Sequence, residues 1–207
     1  MSLEIWAAFA LASTILLIIP GPTILLVVSY ALGAGRATAV WTVIGVFFGD
    51  LVAMTLSVIG LGAILAASAT AFFVLKVTGG LYLIWLGWKL WTAPMTAEKI
   101  EGRSATTSGP KMAFHAFAVT VTNPKGIVFF IAFVPQFLDA NAPAAPQLAI
   151  MVATFTGLAV INALIYALAA SELRERIKRP SVMRWMNRAG GGALMAMGAA
   201  TLLARRT

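Results

Sequence analysis

Cysteine is absent from the 207 residues. The chain therefore holds no disulfide and no thiolate metal ligand, and it carries no mark of its redox compartment. Charge is nearly as scarce. Asp, Glu, Lys and Arg make up 11% of the residues, where a soluble domain has about a quarter. That shortage, beside a hydrophobic content of 60%, excludes an ordinary soluble domain. Histidine occurs once, at position 115, so no His-Glu-x-x-His motif exists, and no Walker loop is present. No cluster of catalytic groups stands out; no enzyme, no metal site and no cofactor is expected. The net charge of +8 could serve nucleic acid. Its charges, however, fall between apolar runs rather than along an amphipathic face, so they indicate a membrane protein and no nucleic-acid partner. No secretory leader is expected either. Glu4 stands where a leader carries basic residues, and the apolar run behind it is too long.

What the chain does have is apolar runs long enough to cross a lipid bilayer, which takes about 20 residues. Hydropathy marks six, at about 5–32, 40–65, 71–91, 112–138, 147–171 and 185–204. One real linker, 92–111, is rich in Ser, Thr, Gly and charge, and a strongly basic loop occupies 172–184. The expected fold is an all-α integral membrane protein, residues 1–207 forming a single transmembrane domain of six helices.

Lys and Arg set the orientation. Arg36, Lys89, Lys99, Arg103, Lys111, Arg174, Arg176, Lys178, Arg179, Arg184 and Arg188 fall on one side; only Arg205 and Arg206 fall on the other. Eleven against two makes linker 92–111 cytoplasmic and leaves both termini outside.

Two of the six runs are interrupted. Pro20-Gly21-Pro22 stands in the middle of the first, and Asn123-Pro124-Lys125 inside the fourth. Each proline lacks an N–H and its ring clashes with the carbonyl four residues back. The carbonyls of Leu16, Ile18 and Thr120 should therefore lose their helical partners. Freed backbone groups at membrane depth persist only where they are buried in protein or line a polar cavity. The breaks also fit an internal repeat. Pro22 and Pro124 are offset by 102, and Gly79-Gly80-x6-Gly87 recurs as Gly190-Gly191-x6-Gly198, offset by 111. Residues 1–95 and 112–207 then form two three-helix repeats. An odd number of spans inverts the second relative to the first, a recurrent transporter plan. Chance coincidence of glycine pairs at helix contacts is the competing explanation.

Few residues can carry chemistry. Asp50 is the only acid deep inside a span, behind the small-residue stripe Gly45-x-x-x-Gly49 that should turn it inward. Low dielectric disfavours an ionised carboxyl, which makes Asp50 the expected proton carrier; a structural ion pair with Lys125 or Lys76 is the alternative. Lys125 is expected either to meet a substrate carboxylate or to pair with Asp50. Asn123 can cap the half-helix that begins at Pro124 or bind a polar ligand. Lys76 is read as snorkelling, His115 as facing the surface or a loop, and Phe129, Phe130, Phe133 and Phe137 as packing. Trp6, Trp41, Trp88, Trp91 and Trp185 fall near span ends as interfacial anchors, with Trp85 packed deeper. The cluster 174–179 is a topology signal that could also bind anionic lipid.

These motifs resemble the LysE/RhtB superfamily of amino-acid exporters. The resemblance rests on Pro20-Gly21-Pro22, Gly49-Asp50, Gly80-Leu81-Tyr82-Leu83 with Leu86-Gly87, Asn123-Pro124-Lys125, Phe129-Phe130 and Pro135-Gln136-Phe137. It covers nearly the whole chain, in order and at similar spacing. Many members have Asn after Pro-Gly-Pro, where this chain has Thr23. The resemblance implies a bacterial inner-membrane protein, in which the Lys and Arg count makes both termini periplasmic. It implies export of amino acids or close derivatives, neutral ones such as homoserine, threonine or leucine, in exchange for protons. A passive channel for small polar solutes is the first alternative, and a membrane-embedded enzyme the second. Substrate is expected between the breaks, at Pro20, Gly21, Pro22, Thr23, Asn123, Pro124 and Lys125, with Asp50 coupling the proton. The partners are then an amino acid, protons and the bilayer, and a homodimer is an allowed assembly.

Overall fold

The structure is a computed structural model that describes residues 1–93, 107–139, 142–170 and 180–203. Most of linker 92–111, most of the basic loop 172–184, and Arg205 and Arg206 lie outside the described residues.

Among the described residues every regular element is helical. The order is α1 (Leu3–Ile18), α2 (Pro22–Ala34), a 3-10 turn (Arg36–Thr38), α3 (Ala39–Ala67), α4 (Ala69–Trp91), α5 (Gly109–Val121), α6 (Pro124–Phe133), a second 3-10 turn (Val134–Phe137), α7 (Ala144–Leu168) and α8 (Pro180–Leu203). Helix ends follow local chemistry. Ser2 caps α1, its Oγ accepting from the Ile5 N–H at 3.3 Å. Pro22 and Pro124 open α2 and α6, where the missing N–H costs nothing. Gly35, at φ 86°, ends α2 in a conformation that only glycine adopts freely.

Helix α3 over Ala39–Gly60, and α7, are each long and apolar enough to cross a membrane. Two bent pairs bring the number to as many as four among the described residues if each pair is one span: α1 with α2, bent by 55°, and α5 with α6, bent by 45°. The bends fall at the two expected breaks. Helices α4 and α8, of 23 and 24 residues, occupy the third and sixth expected spans. Helix α8 starts earlier than hydropathy places it, so Arg184 lies on a helix rather than in the basic loop.

The distribution of polarity is inside out for a soluble protein. Leu11, Phe48, Leu56, Ile59, Phe73, Leu81, Ile161 and Ile165 are all more than half exposed. Ser13, Thr23, Thr42, Thr120, Thr156 and Thr201 are buried. An apolar surface this continuous needs a partner, and a bilayer supplies one. The core is built of Phe9, Phe129, Phe130, Phe133 and Phe155, with Phe130 and Phe155 edge to face at 4.5 Å between ring centroids. Phe129, Phe130, Phe133 and Phe137 therefore pack against their neighbours. Trp85, expected to be packed deep, is instead 51% exposed. It carries the Lys89 ammonium 5.2 Å from its ring centroid, a cation–π contact. His115 is exposed, as expected, yet its Nδ1 lies 2.6 Å from the hydroxyl of the buried Tyr30.

Two glycine seams hold the helices together. On α3, a side chain at Gly45 would strike the Ala113 carbonyl, and a Cβ at Gly49 would lie 2.6 Å from Thr120 Cβ. The stripe before Asp50 thus brings α5 onto α3. Between α4 and α8, a Cβ at Gly87 would meet the Gly191 oxygen at 2.5 Å, and one at Gly198 would meet the Gly80 oxygen at 2.5 Å. The two helices therefore run antiparallel. The sequence repeat equates Gly80 with Gly191 and Gly87 with Gly198, so exchanging the halves turns each of these contacts into the other. Gly87→Leu should part this seam, because the obstacle is backbone and cannot move aside. Overpacking of this kind costs about 1–3 kcal/mol or more. The expected result is a lowered melting temperature in detergent; an unchanged melt would show that the seam tolerates bulk.

Candidate functional site

The bend between α1 and α2 strips partners from the end of α1. Four consecutive carbonyls there, Leu16 to Ile19, are all taken by side chains from the far half of the chain. Lys125 Nζ donates to Leu16 O at 3.0 Å and to Ile19 O at 2.8 Å. Asn162 Nδ2 donates to Leu17 O at 3.0 Å. The Tyr166 hydroxyl donates to Ile18 O at 2.7 Å. The Leu16 and Ile18 carbonyls have lost their helical partners, as the prolines dictate, and side chains take them instead; Lys125 caps the broken helix in this structure. The Thr120 carbonyl is not free either, since it accepts the Asn123 N–H at 3.1 Å. Backbone freed by a proline is costly in an apolar setting, so nearby donors fill it.

Asn123 serves both breaks. Its Oδ1 accepts the Lys125 N–H at 3.1 Å, capping α6, while its Nδ2 donates to Thr23 Oγ1 at 3.3 Å. Thr120 Oγ1 also donates to Thr23 Oγ1 at 3.3 Å. Helix α2, opening at Gly21, has no side-chain cap. Gly21 leaves room beside it for the lysine; a Cβ there would stand 3.5 Å from Lys125 Nζ. With the offset of 102, Gly21 corresponds to Asn123 and Thr23 to Lys125. That offset maps the Gly21–Lys125 approach onto the Asn123–Thr23 pair.

Between the breaks lies a cavity of about 40 Å³, walled by α1, α2, α3, α6 and α7. Gly21, Thr23, Asn123, Lys125 and Asp50 all line it. Pro20, Pro22 and Pro124 do not; they shape the backbone around it. Asp50 is turned inward on α3 as its glycine stripe implies, and it is half-buried. Among the described residues it forms no ion pair with Lys125 within 4 Å. The two charges act on each other across the cavity. A space of this size holds a few waters at about 10–15 Å³ each. It is far below the roughly 300 Å³ at which ligand pockets begin.

Asn162 and Tyr166 were not singled out in the sequence. The signal was available: two polar side chains at i and i+4, on one face of an otherwise apolar span, beside the small residues Ala159 and Ala163. Tyr166→Phe removes only the hydroxyl and leaves the Ile18 carbonyl without its donor in an apolar setting. Stability should fall by about 1–3 kcal/mol, or about 2–4 °C in melting temperature per kcal/mol for a chain of this size. A melt identical to wild type would mean another donor reaches Ile18.

A broken helix capped across the fold, a half-buried acid facing a lysine, and an apolar exterior describe a membrane translocator better than a receptor for a fixed ligand. The comparisons agree. Residues 14–205 match the LysE type translocator family. The chain is 33% identical over 200 residues to an uncharacterized membrane protein of Vibrio cholerae, covering 96% of each chain. It is 33% identical to the homoserine/homoserine lactone efflux protein of Salmonella typhimurium, covering 99% of each. It is 30% identical to the leucine efflux protein of Klebsiella pneumoniae, covering 66% of this chain and 65% of the relative. No solved structure matches it. With nearly its whole length matched, this chain belongs to the LysE type translocator family.

Proposed function

We propose that the chain exports a neutral amino acid or a close derivative from the bacterial cytoplasm in exchange for protons, and that the substrate binds where the two breaks meet. The observation that carries this is the Lys125 ammonium seated on the Leu16 and Ile19 carbonyls beside the uncapped start of α2. An amino acid brings an ammonium of its own. That group can replace Lys125 on the two carbonyls, and the released lysine then meets the substrate carboxylate. The N-terminus of α2 supports the same carboxylate, as helix N-termini favour anions. A zwitterion thus satisfies both sets of groups, while an amine or an acid alone leaves one set unpaired. The cavity must open for this exchange, and Asp50 on its wall carries the proton that drives it. Relatives named for efflux of homoserine and leucine support a neutral amino acid; the lactone named beside homoserine keeps the ammonium but has no carboxylate for Lys125 to meet.

The architecture we infer is six spans in two inverted halves, with α4 and α8 as the third and sixth. Support comes from contacts that persist when the halves are exchanged, both at the glycine seam and at the breaks. The test is efflux from vesicles loaded with homoserine, threonine or leucine. Concentrative flux that follows an imposed proton gradient is the expected result. Fast, unsaturable flux down the substrate gradient would identify a channel instead.

Orientation is tested on the same protein. The termini should be periplasmic and linker 92–111 cytoplasmic, given the distribution of Lys and Arg. Because the chain has no cysteine of its own, single cysteines at Ser104 and Thr207 can be probed with an impermeant thiol reagent. In intact cells position 207 should label and position 104 should not; the reverse pattern overturns the assignment.

A further inference from the structure

A second cavity, of about 480 Å³, lies between the end of α4 and the first turns of α8. Trp91, Ser181, Arg184, Trp185, Arg188 and Ala189 line it. Arg184 and Arg188 stand four residues apart, so both guanidinium groups project from one helix face. Trp91 is the last residue of α4. It rests on the glycines of α8; a Cβ at Gly192 would come 3.3 Å from its ring. Trp185 is 71% exposed. The groove sits where α8 changes character: Arg184, Asn187 and Arg188 lie on one side of Ala189, and an uncharged stretch to Leu203 follows on the other.

We infer that this groove binds the phosphate headgroup of an anionic membrane phospholipid. Guanidinium groups match phosphate oxygens in a planar, paired geometry. Indole rings favour the level of the headgroups and offer an apolar wall to the glycerol and the start of the acyl chains. A free inorganic anion would use the arginines but gain nothing from the tryptophans. The groove lies at the opposite end of α8 from Leu203 and shares no residue with the cavity between the breaks. The inference rests on membrane insertion and not on which solute is carried.

The experiment uses the full chain in phosphatidylcholine nanodiscs containing a fixed fraction of brominated lipid, either phosphatidylglycerol or phosphatidylcholine. Tryptophan quenching is read, and the part lost in Trp185→Phe reports the groove. Brominated phosphatidylglycerol should quench that part more strongly than brominated phosphatidylcholine. Each basic side chain near an anionic surface is worth roughly fivefold in partitioning, so Arg184→Gln with Arg188→Gln should reduce the preference by at least about tenfold. The paired lysine variant keeps the charge and should retain most of it. Both residues are exposed, so the melting temperature should not change. Equal quenching by the two lipids overturns the inference, and so does a preference that survives in the paired glutamine variant. Loss of the preference on adding millimolar inorganic phosphate, at constant ionic strength, would make this a soluble-anion site and overturn the lipid assignment.

Discussion

Lys125→Met should abolish efflux and destabilise the protein at the same time. Methionine retains an apolar stem but cannot donate a hydrogen bond. The Leu16 and Ile19 carbonyls lose bonds of 3.0 and 2.8 Å to a cation. Hydrogen bonds to charged groups contribute about 1.5–3 kcal/mol each, so the loss of stability should reach about 3 kcal/mol or more. A fold-only role and a binding role predict the same melt, so transport has to separate them. Competition against wild-type efflux by the parent amino acid, its amide and its deaminated acid makes the separation. The amide lacks the carboxylate that Lys125 is proposed to meet, and the acid lacks the ammonium that would replace it on the carbonyls. Both should compete poorly. An amide that competes as well as its parent would leave Lys125 as a structural cap and remove the proposed carboxylate site.

Asp50→Asn should separate transport from its driving force. Asparagine keeps the shape of the side chain and cannot exchange a proton. Gly45 and Gly49 still seat α3 on α5, so the protein should remain folded and inserted. In vesicles with the proton gradient directed inward, wild type should accumulate substrate on the acidic side. One pH unit is worth about 1.4 kcal/mol per proton, or about tenfold in the concentration ratio for one-to-one exchange. The asparagine variant should reach equal concentrations and no more, while exchange of labelled for unlabelled substrate continues. Flux with the wild-type pH dependence would place the proton elsewhere. Complete loss of exchange, with a normal melt, would mean that Asp50 holds the substrate itself.

These expectations draw on two sources, and the boundary between them is physical. The sequence by itself determined where the first and fourth runs break, because a proline removes its own N–H and obstructs the carbonyl four residues behind it wherever the chain goes. It also determined the membrane setting, from runs of apolar residues and the shortage of charge, and the close seams, because only glycine admits a backbone oxygen 2.5 Å from where a Cβ would stand. These are local properties, and local properties can be read one residue at a time. Asn123 was legible in part. Its cap on Lys125 lies two residues away, whereas its bond to Thr23 spans 100. What the sequence could not decide was which donor fills each freed carbonyl. Lys125, Asn162 and Tyr166 all come from the other half of the chain, between 106 and 148 residues from the carbonyls they satisfy. At such separations many donors are compatible with a given acceptor. Packing of α6 and α7 against the end of α1 selected these three, and turned Lys125 from a free countercharge into the cap of a broken helix.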